Sequence, residues 1–309
     1  MDKLRPLLFV LLAATLVGSA NPQSPTKELP NPATLNSLLE AIGRRTQEYT
    51  DVIMGLAWTE LIAIQELDDN FRPKGPPREY RYEAIVVRQP LPNDPKQTRL
   101  VASRELKTVD GKPASQAELK RGKCRDTNPS PVYGMPLSFL LSPERGRYNF
   151  APVSEEQLNG RASLVVSVTP AFSNQTPAKP EIRIEGDCFS LGGVPPAEGR
   201  IWIDREREEV VQVSWLQPRP IEFSIPAGVN WKGPFFVFRP GRQIRLERQE
   251  SRTRFERVSF EEPHQTVLMP VESESLTFLS GTGSPGLKTT TRYSQFKRFL
   301  TDVKVKETQ

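Results

Sequence analysis

From Arg78 onward the chain alternates apolar and polar residues with a period of two, and turn residues interrupt the alternation at short intervals. Arg78 to Leu91 (REYRYEAIVVRQPL) and Leu100 to Val109 (LVASRELKTV) open the series, and Asp110-Gly111 closes the second run. Gly146 to Ala151, Ala162 to Thr169 and Glu181 to Glu185 continue it, with Asn159-Gly160 ahead of the second of these. Gly199 to Trp215, Phe235 to Phe238, Gln243 to Glu247, Arg254 to Phe260, Thr266 to Phe278 and Thr290 to Val305 complete it. Alternate residues of a strand point to opposite faces, and Asp-Gly or Asn-Gly between such runs marks a tight hairpin. Runs of this kind in sequence predict a large antiparallel sheet of ten or more strands. The 30 Pro and 19 Gly fall between the apolar runs, which suits short elements joined by turns. No strand-helix alternation appears, so a parallel α/β sheet is disfavoured. Asp94 to Lys96, Ala114 to Pro136 and Ala171 to Lys179 read as loops.

One helix stands before the sheet. Leu35, Leu38, Leu39, Ile42 and Tyr49 fall at helical spacing, with Glu40, Arg44, Arg45, Gln47 and Glu48 on other faces. Asn31 followed by Pro32 suits its first turn. A single apolar stripe predicts that the helix lies against the sheet. Ahead of it, MDKLRPLLFVLLAATLVGSA carries Lys3 and Arg5, then an apolar run from Leu7 to Val17, then Gly18 and Ala20. That is the pattern of a secretory signal peptide over residues 1–20, and the segment is short for a membrane span. A buried N-terminal helix is the alternative. Residues 21–32 read as a Pro-rich linker and 33–309 as a single β-rich domain, with a long loop near 114–136. The later run Val52 to Ile64 is short and contains Glu60, so no transmembrane segment is expected after signal removal. The expected location is the periplasm or the cell surface.

Charge narrows the partners. The net charge is +5, and loss of Asp2, Lys3 and Arg5 with the leader leaves +4. Acids and bases interleave without a dense basic patch, so nucleic acid is not an expected partner. Cys124 and Cys188 both fall in the exported part. Two Cys in an oxidising compartment predict a disulfide, and two buried free thiols are the alternative.

The stretch GRIWIDREREEVVQVSW (Gly199 to Trp215) is a hairpin with a wholly charged turn. Alternation puts Ile201 and Ile203 on one face and Trp202 on the other. On the second strand it groups Val211, Val213 and Trp215 against Val210, Gln212, Ser214 and Leu216. Both faces thus carry apolar mass, as expected of a sheet covered on both sides or of a curved sheet with a filled hollow. The Arg and Glu residues of the turn read as a solvated loop. An exposed turn does not desolvate a carboxylate enough to give it a catalytic pKa.

This hairpin, G-R-I-W-I-D, a charged turn, then V-V-Q-V, resembles that of the outer-membrane lipoprotein carrier superfamily. The helix ending RRTQEYT (Arg44 to Thr50), RELKTVDGKP (Arg104 to Pro113), VLMPVESE (Val267 to Glu274) and RYSQFKRF (Arg292 to Phe299) are similar to pieces of exported proteins of soil bacteria that share the hairpin. The resemblance implies a mainly β (α+β) fold, a strongly curved antiparallel half-barrel with the helix packed on it. It also implies a periplasmic protein that binds a lipid or a lipoprotein acyl chain. A shared fold does not by itself fix a function.

No catalytic signature stands out. His264, the one histidine, lies beside Glu261 and Glu262, but no Gly-x-Ser-x-Gly elbow accompanies it. One His and two distant Cys do not make a zinc site, and no calcium loop is present, so no metal or cofactor is expected. GTGSPG (Gly281 to Gly286) lacks the Lys-Ser/Thr of a phosphate loop and reads as a hairpin turn. Asn174-Gln175-Thr176 is a glycosylation sequon, which matters only in a eukaryotic secretory route. The aromatic residues Trp58, Trp202, Trp215, Trp231 and Phe235 are the candidates to line a ligand cavity, and core packing is their alternative role. Three functions fit, in this order. The first is a non-catalytic binder of a lipid-like or apolar ligand. The second is an envelope scaffold with a filled core that contacts other proteins. The third is a hydrolase using paired carboxylates, which need only meet in space.

Overall fold

The computed structural model describes residues 29–52, 55–91, 94–121, 137–171, 180–185, 188–192, 197–228, 231–232, 237–261, 264–281 and 286–298. Helix α1 (Pro32–Val52) starts where the sequence places it. The Asn31 side-chain oxygen accepts the Thr34 backbone N–H at 3.0 Å, capping an otherwise unpaired donor, and Pro32 sits in the first turn. Leu35, Leu39, Ile42, Tyr49 and Val52 are buried along one stripe.

That stripe lies on an open sheet whose strands follow the chain as β1 (Leu56–Leu67), β2 (Arg78–Leu91), β3 (Asp94–Val109), β4 (Lys112–Pro113), β5 (Tyr148–Leu158), β6 (Arg161–Pro170), β7 (Glu181–Glu185), β8 (Cys188–Gly192), β9 (Glu198–Asp204), β10 (Glu209–Leu216), β11 (Ile221–Ser224), β14 (Gln243–Phe260), β15 (Gln265–Ser280) and β16 (Gly286–Arg298). The spatial order is β4-β3-β2-β1-β16-β15-β14-β10-β9-β6-β5, with β11, β7 and β8 attached beside β14. β12 (Trp231–Lys232) and β13 (Val237–Phe238) pair separately. Among the described residues all pairings are antiparallel except a single parallel contact, Ser224 to Glu181. β1 next to β16 joins the two ends of the sequence at the middle of the sheet. Register shifts at Ala57/Thr59, Val210/Gln212, Leu246/Arg248 and Arg254/Phe255 bend the strands that carry them, as bulges do, and curve the sheet.

The core divides along α1. Leu35, Leu39 and Ile42 pack with Leu164, Val166, Ile201, Ile203, Val213 and the 3-10 turn Ser138–Leu140. Tyr49 and Val52 pack with Leu56, Trp58, Ala84, Met269 and Tyr293. α1 therefore bridges strands from both halves of the sheet. Gly43 makes the first contact possible: a Cβ there would stand 2.8 Å from the Leu140 carbonyl oxygen. The Gln116–Arg121 helix (α2) and the short Ser142–Arg145 helix (α3) complete the described helices.

Some sequence boundaries shift. Asp94 to Lys96 is strand, not loop, because β3 pairs with β2 as far as Asp94. Gln243 to Glu247 and Arg254 to Phe260 are the two ends of the single strand β14, whose polar middle is carried by pairing on both edges. Asp110-Gly111 and Asn159-Gly160 do turn the chain, with φ of 49° and 76°, then 52° and 76°. Part of the 114–136 loop is α2. Its residues 122–136 lie outside the described residues, as do residues 1–28, where the leader and most of the linker are expected, and the sequon. Among the described residues no helix is long and apolar enough to cross a membrane.

Candidate functional site

The β9–β10 hairpin sets two surfaces, one on each face of the sheet. Ile201 and Ile203 face α1 and Trp202 faces away, as alternation requires. The second strand departs from simple alternation. The register jumps between Val210 and Gln212, so Val210 and Val213 both face the core, with Trp215 beside them. A bulge inserts one residue and flips the parity of the residues after it, which is why Val210 belongs with Val213 and not on the opposite face. Trp215 packs edge-on to Phe139, with ring centroids 5.0 Å apart, and lies 6.3 Å from Tyr148. Trp202 donates its indole N–H to Glu156 at 2.9 Å.

The charged turn Arg205–Glu208 is more than a solvated loop. Asp204 accepts the backbone N–H groups of Glu206 and Arg207 at 3.0 and 3.1 Å and so shapes the turn. The Arg207 carbonyl then accepts from Arg45 of α1. Glu209, mostly buried, receives the Arg257 guanidinium, with one oxygen 3.0 Å from Nε and the other 2.5 Å from Nη2, and Arg45 at 3.4 Å. The hydrogen bond from Arg257 to Glu209 raises the guanidinium pKa further. Two arginines from different elements thus converge on one carboxylate that faces α1.

Beneath this cluster, between α1 and the sheet, is a cleft of about 370 Å³. Ile42, Tyr49, Val210, Phe255 and Val267 make its apolar wall, and Arg45, Glu208, Glu209 and Arg257 make its rim. Burial pushes the Tyr49 phenol pKa up, so the ring stays neutral in this wall. On the opposite face of the sheet a wider groove of about 790 Å³ crosses β6, β9, β10, β14, β15 and β16. Ion pairs cross it: Arg252 to Glu274 at 2.5 Å and Lys288 to Glu274 at 3.4 Å. The hydrogen bond from Arg252, with Lys288 nearby, lowers the Glu274 carboxyl pKa.

The candidate aromatic residues do not converge on one cavity. Trp202 lines the groove opposite α1, and Trp215, packed on the core side against Phe139, reaches only its border. Trp58 is 2 % exposed in the core around Tyr49 and Met269. Its indole N–H donates to Glu60 at 2.8 Å, and Glu60, fully buried, pairs with Arg104 of β3. Arg104 in turn lies 4.9 Å above the Tyr82 ring. This ion pair, which sequence reasoning did not find, has one trace in the chain, an acid inside the apolar run Leu56 to Leu67. Its cation depends on the register of β1, β2 and β3. The Trp231 side chain, Phe235, Cys124 and the Cys188 side chain, and with them the expected disulfide, lie outside the described residues. His264 is exposed in the turn between β14 and β15.

No protein-family model matches the chain, and no curated protein matches it. The chain is similar to several solved structures. One is an outer membrane lipoprotein-sorting protein domain from Vibrio parahaemolyticus, at 13% identity and a TM-score of 0.33, covering 87% of this chain and 95% of that one. A DUF1329 family protein from Desulfovibrio piger has 8% identity and a TM-score of 0.33, with 85% and 93% covered. A LolA superfamily protein from Nitrosomonas europaea has 11% identity and a TM-score of 0.30, with 84% and 96% covered.

Proposed function

We propose that the chain is an exported, non-catalytic binding protein of the periplasm or cell envelope, and that its ligand is lipid-like or otherwise apolar. The supporting observation is the cleft between α1 and the sheet. Its volume of about 370 Å³ lies in the range of small-molecule sites, about 300–1,000 Å³. An apolar wall gains from covering apolar ligand surface, and the charged rim keeps the mouth wet. The rim pairs Arg45 and Arg257 with Glu208 and Glu209, so it adds polarity at the mouth without a net charge.

The experiment is a titration with a fluorescent apolar probe, 1-N-phenylnaphthylamine, on the wild type and on Leu268→Trp, which places an indole in the cleft from β15. Saturable binding that weakens at least about tenfold in the variant is the expected result. Binding unchanged by the variant places the probe elsewhere and refutes the cleft. A second reading is a filled scaffold that works through its surface. It is favoured by the other half of α1, where Leu35, Leu39 and Leu140 are packed shut. An absence of saturable binding selects it.

A further inference from the structure

The groove opposite α1 has chemistry that an apolar ligand does not explain. Six adjacent strands cross it, which at about 4.8 Å per strand step makes it roughly 24 Å long. Its charges balance: Arg200, Arg252 and Lys288 against Glu198, Glu250 and Glu274. The central charges also satisfy one another. Glu274 sits between Arg252 and Lys288, and Glu250 holds Arg248 at 2.5 Å. Ser167, Thr169 and Ser214 add hydroxyls along the same face.

Apolar surfaces interrupt this polar lining. Trp202 stands over β9 with its ring fixed by the bond to Glu156. Leu216 is 45 % exposed and shares a row with Glu250 and Leu276. Beyond Leu276 on the same face, Phe278 packs against Phe71 with ring centroids 4.2 Å apart and tilted by 32°, and the Arg248 guanidinium is 5.9 Å from the Phe71 ring. Phe71 is 48 % exposed and has a φ of 62°, a conformation that costs a bulky side chain energy.

We propose that this groove binds an uncharged linear saccharide. Nucleic acid or an anionic polymer needs a net positive lining, and a basic peptide needs a net negative one. An apolar chain would desolvate Arg252, Glu274 and Lys288 without replacing their water. A neutral sugar chain meets all three conditions. Its C–H faces cover Trp202 and Leu216, its hydroxyls both donate and accept among paired Arg, Glu and Ser groups, and it brings no charge. The assignment is independent of the cleft under α1.

The test titrates the purified chain, labelled with ¹⁵N, with cellohexaose, maltohexaose and chitohexaose, following indole N–H resonances and heats of binding. The expected result is that at least one hexaose binds with a Kd between about 10 μM and 1 mM and shifts the Trp202 indole signal. Trp202→Ala and, separately, Leu216→Asp weaken that binding by about tenfold or more. Leu216→Asp sits at an exposed position and carries the test if Trp202→Ala unfolds the chain. Leu268→Trp, in the α1 cleft, leaves saccharide binding unchanged, so the two sites fail or survive separately. No shift from any hexaose at about 10 mM overturns the proposal. So does binding that ignores both groove variants, or a groove whose signals respond to a charged peptide and to no hexaose.

Discussion

The pair of Glu60 and Arg104 gives a sharp energetic prediction. Glu60 is fully buried on β1, and Arg104 reaches it across β2 from β3, with 6 % of its side chain exposed. Trp58 supplies a further donor at 2.8 Å, and Tyr82 lies under the guanidinium. Arg104→Leu keeps apolar bulk but leaves a buried carboxylate with a single neutral donor among these contacts. Removing one partner of a buried pair costs about 3–5 kcal/mol. That is a large share of the roughly 5–15 kcal/mol typical of a whole domain. Replacing both, Glu60→Leu with Arg104→Leu, removes the stranded charge and is expected to recover most of the loss. The assay is urea unfolding followed by circular dichroism, compared at equal m-value so that midpoints report stability. The expected order is wild type and double variant close together, with Arg104→Leu well below both. A loss under about 1 kcal/mol for Arg104→Leu, or a double variant no better than the single one, refutes the idea that the pair is closed and mutually dependent.

Three further outcomes are expected. Gly199 lies opposite Trp215, where a Cβ would stand 2.6 Å from the indole, so Gly199→Val should push Trp215 off Phe139 and cost about 1–3 kcal/mol, read as a lower midpoint and changed tryptophan emission. Because burial raises the Tyr49 pKa, the unfolded chain ionises first as pH passes about 10. Stability should then fall by about 1.4 kcal/mol per pH unit, and Tyr49→Phe should flatten that alkaline limb in pH-dependent unfolding. Glu274 has its pKa lowered by Arg252 and Lys288, so the stability it contributes is present above the ordinary carboxylate value and is lost as pH falls through the folded one. Glu274→Gln should therefore flatten the acid limb of the same curve.

The sheet was legible because its signal is local. Asp110-Gly111 and Asn159-Gly160 fix hairpins by their own backbone preference, and the stripe from Leu35 to Tyr49 fixes a helix with one buried face. The hidden features depend on register. Glu60 meets Arg104 only because β1, β2 and β3 align Trp58, Ala84 and Arg104 in one row. The bulge that moves Val210 to the core face leaves no mark in the VVQV alternation. The Arg205–Glu208 turn looks solvated until α1 is laid beside it and Arg45 finds the Arg207 carbonyl. The tryptophans were visible as candidates, but their division between faces comes from parity and burial together: Trp58 in the core, Trp215 at its edge, Trp202 beyond it.

The most direct test of the proposed binding role is native mass spectrometry of the protein purified from the cells that make it, with organic extraction of anything bound. A stoichiometric adduct of lipid size, lost from Leu268→Trp, is the predicted result. A bare polypeptide mass for the wild type in repeated preparations would contradict an apolar ligand in the cleft, and would leave α1 as a plug that fills the sheet.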